Sequence, residues 1–274
     1  MTGWSVVDME KSNGHLRIGV LDSGVGGLTV LRELERLMPA ESVIYFGDSA
    51  NCPYGNRSQE EILKLSLSML DFLQSQGVKI AAIACNTIST LIDKFRDRYP
   101  FPVLSIVEAA CEYTASQNLS QAGVFATEFT IHQKLYDALL RRLSPGTSVY
   151  GQPSRTLAGF IDQGRFDDPA LDAEVRSLLN SLLTAHPEVK HIVLGCTHYP
   201  IVMDLFQRAS PDITFINPAL EQAKAVQKIL ETSGTLTAGS EQAQYDIFTS
   251  GDAKIYAEIL KKLDIISPLT IHTV

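Results

Sequence analysis

The feature that most constrains this chain is a pattern written twice. Short apolar runs rich in Val and Ile alternate with longer stretches of helical periodicity, the arrangement expected of a parallel sheet covered by helices. Strands are predicted at 17–21, 42–46, 79–84 and 103–107, and a second set at 122–125, 148–150, 191–194 and 213–216. Helices are predicted at 28–38, 60–76, 87–98, 132–143, 171–185, 201–209 and 220–231. Laid over each other, IGVLDS matches AGVFAT, SVIYFGD matches SVYGQP, VKIAAIACNT matches VKHIVLGCTH and PVLSIVEAA matches ITFINPA. No low-complexity linker separates the two sets. The expected fold is therefore α/β, with two pseudo-symmetric parallel-sheet domains and the active site in the cleft between them.

Open α/β sheets bind ligands in the crevice beyond the carboxyl ends of their strands. In the closest of the four matches, Val78 and Val189 each stand seven residues before a cysteine, which singles out Cys85 and Cys196. Asp22, Ser23, Asn86, Thr87, Thr127, Thr197 and His198 fall at strand ends of the same kind. If the two halves face each other, the thiols approach a ligand from opposite sides. Cys52 and Cys111 have no counterpart in the duplication and read as structural, with Cys52 bordering the site.

Composition narrows the partner. With 274 residues, 45% hydrophobic and 20% charged, the chain can bury the core of one large or two small domains. A formal net charge of -8 provides no broad electropositive surface, so no nucleic acid or membrane is expected as a partner, and a small polar metabolite fits better. The opening MTGWSVVDMEKSNGHLR lacks the basic start and apolar core of a signal peptide, and no apolar run reaches transmembrane length. Cytoplasm is the expected location. The four cysteines are far apart and form no C-x-x-C pair, which argues against a zinc ribbon or a thioredoxin-like site; no metal site is predicted, and in a reducing cytosol the thiols should be free.

Two loops admit more than one reading. Asp22-Ser23-Gly24-Val25-Gly26-Gly27 follows the first strand and opens a helix, so its amides could hold an anion. It matches neither G-x-x-x-x-G-K-[ST] nor G-x-G-x-x-G, so nucleotide binding is not expected. Asp22 reads equally as a helix cap or a catalytic partner. Asn51-Cys52-Pro53-Tyr54-Gly55 reads as a turn. His198, two residues past Cys196, can tune a thiol or orient a substrate, or simply be a satisfied structural histidine.

At Gly19-Val20-Leu21-Asp22-Ser23-Gly24-Val25-Gly26-Gly27-Leu28-Thr29-Val30 the chain resembles the glutamate racemase family of the aspartate/glutamate racemase superfamily. The likeness recurs in the family's order at Tyr45-Phe46-Gly47-Asp48 with Pro53-Tyr54-Gly55, at Ala84-Cys85-Asn86-Thr87, and at Leu194-Gly195-Cys196-Thr197-His198-Tyr199-Pro200. It implies two domains sharing a cleft, the first from residues 1–108 and 218–274 and the second from 109–217. It also implies interconversion of L- and D-glutamate with no cofactor, neither pyridoxal phosphate nor metal, supplying D-glutamate for peptidoglycan. By matching motif, Cys85 and Cys196 are the acid/base pair, and Asp22, Ser23, Tyr54, Gly55, Asn86, Thr87, Thr197 and His198 bind substrate, with Asp22 and His198 assisting the thiols. A homodimer is left open.

The chain departs from the family at Ile88-Ser89, Gln152-Pro153, Asp162 and Asn217-Pro218. These departures keep two alternatives in view: a racemase for aspartate or another acidic amino acid, and a non-catalytic ligand-binding or regulatory relative. The reaction itself needs two acid/base groups of opposite protonation, because a proton leaves one face of the α-carbon and returns to the other. A free thiol, with a pKa of about 8.5, is only slightly ionised near neutrality, so the abstracting member needs help from its surroundings.

Overall fold

A computed structural model describes residues 16–237 and 243–274; the extension before Leu16 lies outside the described residues. Eight strands stand where the duplicated pattern puts them. They are β1 (Arg17–Asp22), β2 (Val43–Gly47), β3 (Val78–Ile83), β4 (Val103–Ser105), β5 (Gln121–Thr127), β6 (Ser148–Ser154), β7 (His191–Gly195) and β8 (Thr214–Ile216). Two more follow, β9 (Tyr245–Thr249) and β10 (Leu269–Thr273). The strands form a six-stranded sheet in the order β10-β9-β2-β1-β3-β4 and a four-stranded sheet in the order β6-β5-β7-β8. Every pairing is parallel. Aligning β1 with β5 makes β2-β1-β3-β4 and β6-β5-β7-β8 the same arrangement, so the repeat in sequence is a repeat in topology.

Apolar strands are what a sheet covered on both faces requires. Ile18, Val20, Tyr45 and Ile80 point to one side of the larger sheet and join a core that continues through the second sheet to Val193 and Leu194. Leu21, Ile44, Phe46 and Ile83 point to the other side and pack in a separate core beneath the helix Gln59–Ser75. That helix opens on a capping box between Ser58 and Glu61, which satisfies two otherwise free amides. The helix Pro218–Thr232 packs on the helices Leu28–Leu37 and Ile106–Ser116, and Ile106–Ser116 packs in turn on Leu135–Leu143, so a row of helices links the two sheets.

The structure corrects several element boundaries. The helix expected at 87–98 is a short helix, Asn86–Ser89, followed by two 3-10 turns, Ile92–Lys94 and Arg96–Arg98. Thr90 Oγ1 donates to the Thr87 carbonyl and Ser89 Oγ to that of Ile83, and such bonds compete with a continuous helix. The strand predicted at 103–107 ends at Ser105, whose hydroxyl accepts from the amides of Val107 and Glu108 and so starts the helix Ile106–Ser116. The helix predicted at 132–143 begins earlier, at Glu128, and is interrupted at Lys134, which adopts a left-handed φ of 53°.

Candidate active site

Cys85 follows β3 and Cys196 follows β7, so the two sheets each deliver one thiol to the carboxyl ends of their strands. Both sulfurs line one small cavity of about 10 Å³, room for about one water-sized sphere. Ser23, Tyr54, Gly55, Asn86, Thr87, Thr127, Thr197 and His198 line it as well. Asp22 does not; it stands behind the wall, fully buried. Of the departures, Gln152 lies on β6 and the Ile88 side chain in the apolar core, neither of them among the residues that line the cavity, and Asn217 caps the helix Pro218–Thr232 through its Oδ1.

The halves meet through matching positions. Thr87, just past β3, bonds Thr127, at the end of β5, hydroxyl to hydroxyl at 3.0 Å. Thr197, just past β7, donates to Asp22 Oδ2, at the end of β1, at 2.9 Å. Thr130 closes a ring of three hydroxyls with Thr87 and Thr127. In both contacts, a residue past the third strand of one half grips the end of the first strand of the other.

The glycine loop resolves its own ambiguity. The Gly24 amide donates to Asp22 Oδ1 at 3.0 Å and the Val25 amide to Asp162 Oδ1 at 2.9 Å, so the anions at these amides are carboxylates of the chain itself. None of these glycines has a positive φ. Their role is close approach: a Cβ on Gly26 would collide with Thr197 Oγ1 and stand 2.6 Å from His198 Nδ1. Thus the loop is a packing surface for the opposite half.

The two thiols keep unlike company. Cys85 Sγ lies 3.5 Å from Ser23 Oγ as a donor. Burial, reinforced by the Asp22 charge, pushes its pKa up to about 12. Cys196 Sγ instead faces His198 Nδ1 at 3.8 Å, while His198 Nε2 is 2.9 Å from Asp162 Oδ1. Burial works against the charged imidazole, but its bonds to Asp162, Cys196 and Cys52 prevail and hold its pKa well above the usual histidine value. Burial also raises Asp22 to about 6, despite the attraction of His198.

Asp162, which the sequence marks only as one of the departures, joins the site in the fold. Its carboxylate joins the glycine loop, Ser49 and His198. Two other side chains carry refinements. The Tyr54 hydroxyl is committed to Asp48 Oδ2 at 2.6 Å, so Tyr54 offers the cavity its ring. Asn86 Oδ1 accepts from the Tyr136 hydroxyl at 2.7 Å, which leaves the buried Nδ2 of this lining residue without a protein partner. A buried amide donor left unpaired is costly, and a carboxylate oxygen in the cavity would satisfy it. Among the described residues one group has metal-ligand spacing: Cys52, Asp162 and His198, whose ligand atoms lie within 4.8 Å of one another. No helix among the described residues is long and apolar enough to cross a membrane.

Comparison with known proteins agrees with this geometry. Residues 18–226 match the family model described as Asp/Glu/Hydantoin racemase. The chain is 32% identical over 258 residues to a glutamate racemase of Oceanobacillus iheyensis, covering 93% of this chain and 92% of that protein. Among solved structures it is similar to a glutamate racemase isoform of Bacillus anthracis, with a TM-score of 0.86 and 30% identity over 95% of this chain and 97% of that one. It is also similar to the glutamate racemase of Francisella tularensis solved in complex with D-glutamate, with a TM-score of 0.85 and 28% identity over 95% and 97% of the two chains.

Proposed function

Because this chain belongs to the Asp/Glu/hydantoin racemase family and is an isomerase of the glutamate racemase type, we propose that it interconverts L- and D-glutamate with Cys85 and Cys196 as the two acid/base groups. The observation that carries the proposal is one thiol from each sheet on the wall of one small cavity. One thiol enters the reaction as thiolate and takes the α-proton; the other enters protonated and delivers its proton to the opposite face.

Each thiol has its own support. Next to Cys85, whose buried proton is held tightly, the α-ammonium of an incoming amino acid supplies the positive charge that makes a thiolate tolerable. Beside Cys196, the His198–Asp162 pair is placed to exchange a proton with the sulfur and to hold the resulting charge. Asn86 Nδ2 and the threonine hydroxyls bind the substrate carboxylates. Those contacts strengthen as negative charge moves from the α-carbon into the carboxylate, and closure keeps water out.

The proposal extends to Ser23, Tyr54, Gly55, Thr87, Thr127 and Thr197 as substrate-holding residues, with Asp22 acting from behind the wall through its bond to Thr197, to domains at 1–108 with 218–274 and at 109–217, and to supply of D-glutamate for peptidoglycan in the cytoplasm. Neither pyridoxal phosphate nor metal takes part in the reaction as proposed. The test is to incubate purified protein with L-glutamate, and separately with L-aspartate, in heavy water, with chelator and then a carbonyl reagent present. Glutamate should lose optical rotation as deuterium enters its α-position. Preference for aspartate would replace the substrate, and no exchange with either acid would sink the racemase reading.

A further inference from the structure

Cys52 is the one thiol near the cavity that proton transfer does not use. It follows the 3-10 turn Ser49–Asn51 and lines the cavity half-buried. It comes from the first half of the chain, yet it stands beside two groups of the second half, Asp162 and His198. One ligand atom from each of Cys52, Asp162 and His198 lies within 4.8 Å of the other two. Thiolate, imidazole and carboxylate are the donors zinc accepts, at about 2.0–2.3 Å each in tetrahedral sites, so the three need shifts of only about an ångström or less to share one ion.

We propose that Cys52, Asp162 and His198 form an inhibitory site for a borderline-soft divalent cation, zinc above all, with the fourth position open to the cavity. On binding, the Cys52 thiol and the His198 ring each release a proton to solvent, and sulfur and nitrogen take the metal in their place. Asp162 coordinates as the carboxylate. The metal-bound imidazole keeps its proton on the nitrogen facing Cys196 and no longer has a lone pair with which to receive another. Cys196 thereby loses its proton-exchange partner, and racemisation stops with both catalytic thiols still in place. A site absent from the sequence as a C-x-x-C pair is thus assembled across the cleft.

The inhibitory consequence rests on the racemase reading, but the binding site does not, so the test has two readouts. Intact protein is first titrated with Co²⁺, which substitutes for zinc and absorbs through sulfur-to-cobalt charge transfer when a thiolate is bound. One equivalent should produce this absorption. It should persist in Cys196→Ala, vanish in Cys52→Ala and Cys52→Ser, and be displaced by Zn²⁺. Zn²⁺ should then inhibit the wild-type racemase reversibly, with activity restored by chelator. Relative to each variant's own uninhibited rate, Cys52→Ala should need at least about tenfold more Zn²⁺ for half-inhibition, since one of three protein ligands is gone. No charge-transfer absorption in the wild type, or absorption lost with Cys196 and kept without Cys52, would overturn the site. Equal Zn²⁺ sensitivity with and without Cys52 would overturn its inhibitory role. Absorption as expected in a chain that racemises nothing would uphold the site while removing the racemase reading.

Discussion

Cys85 leans on a hydroxyl and Cys196 on an imidazole–carboxylate pair, so the variants of this site should separate by what each thiol loses. Cys85→Ala and Cys196→Ala should each lower turnover by about 10²–10⁴-fold or more, the usual contribution of one positioned acid or base, with the fold retained by circular dichroism. Near-normal turnover in either would remove the two-thiol mechanism. Asp162→Asn should slow turnover about 100-fold by loosening His198. Because the two enantiomers are equally stable, kcat/KM must fall equally in both directions. The α-deuterium isotope effect, by contrast, should change mainly in the direction in which Cys196 takes the proton. Asp22 makes a prediction about stability. Its carboxyl rises from 3.8 to about 6 on folding, so the fold prefers the protonated form: that stabilisation is full below 3.8 and lost as pH rises through 6. Asp22→Asn should therefore be more stable than wild type at pH 7 by about 3 kcal/mol and lose that advantage toward pH 4, as read from urea midpoints, while its activity falls. The strand-end residues of this site could be read from sequence because a strand end fixes where its next residues stand. Asp162 could not, because its partner His198 is distant in the chain and only the fold joins them.

Among the elements, the glycine loop gives the sharpest test. Gly26→Ala places a methyl group against Thr197 and His198 across the cleft; it should reduce kcat by about tenfold or more, as expected when catalytic groups are displaced by a fraction of an ångström. The α-helical signal by circular dichroism should be unchanged. A variant with wild-type kcat would show that the loop tolerates displacement. The first eight strands were legible because parallel strands buried on both faces are apolar almost throughout. β9 and β10 were not. β9 contains buried Asp246, which is paired with Arg17 and His272, and β10 is an edge strand of mixed exposure. The break after Ser89 and the left-handed Lys134 were equally invisible, since helical periodicity reports which face is apolar and says little about where the chain turns.

At the scale of the whole molecule, the site as it stands has room for about one water-sized sphere, so an amino acid enters it as proposed only if the lining groups move apart. Separation of the two halves would part the Thr87–Thr127 and Thr197–Asp22 bonds. If this motion limits the reaction, as lid motions often do, kcat should fall in proportion to relative solvent viscosity when sucrose is added. Independence from viscosity would place the slow step in proton transfer. The duplicated halves also have a consequence for assembly. Two half-sites on separate molecules would have to find each other by diffusion, and their pairing would weaken on dilution. Here the partners are joined by their own backbone, so their encounter is governed by the reach of the connecting segments and not by the number of molecules present. The repeat has turned a meeting between strangers into a fold of one chain upon itself.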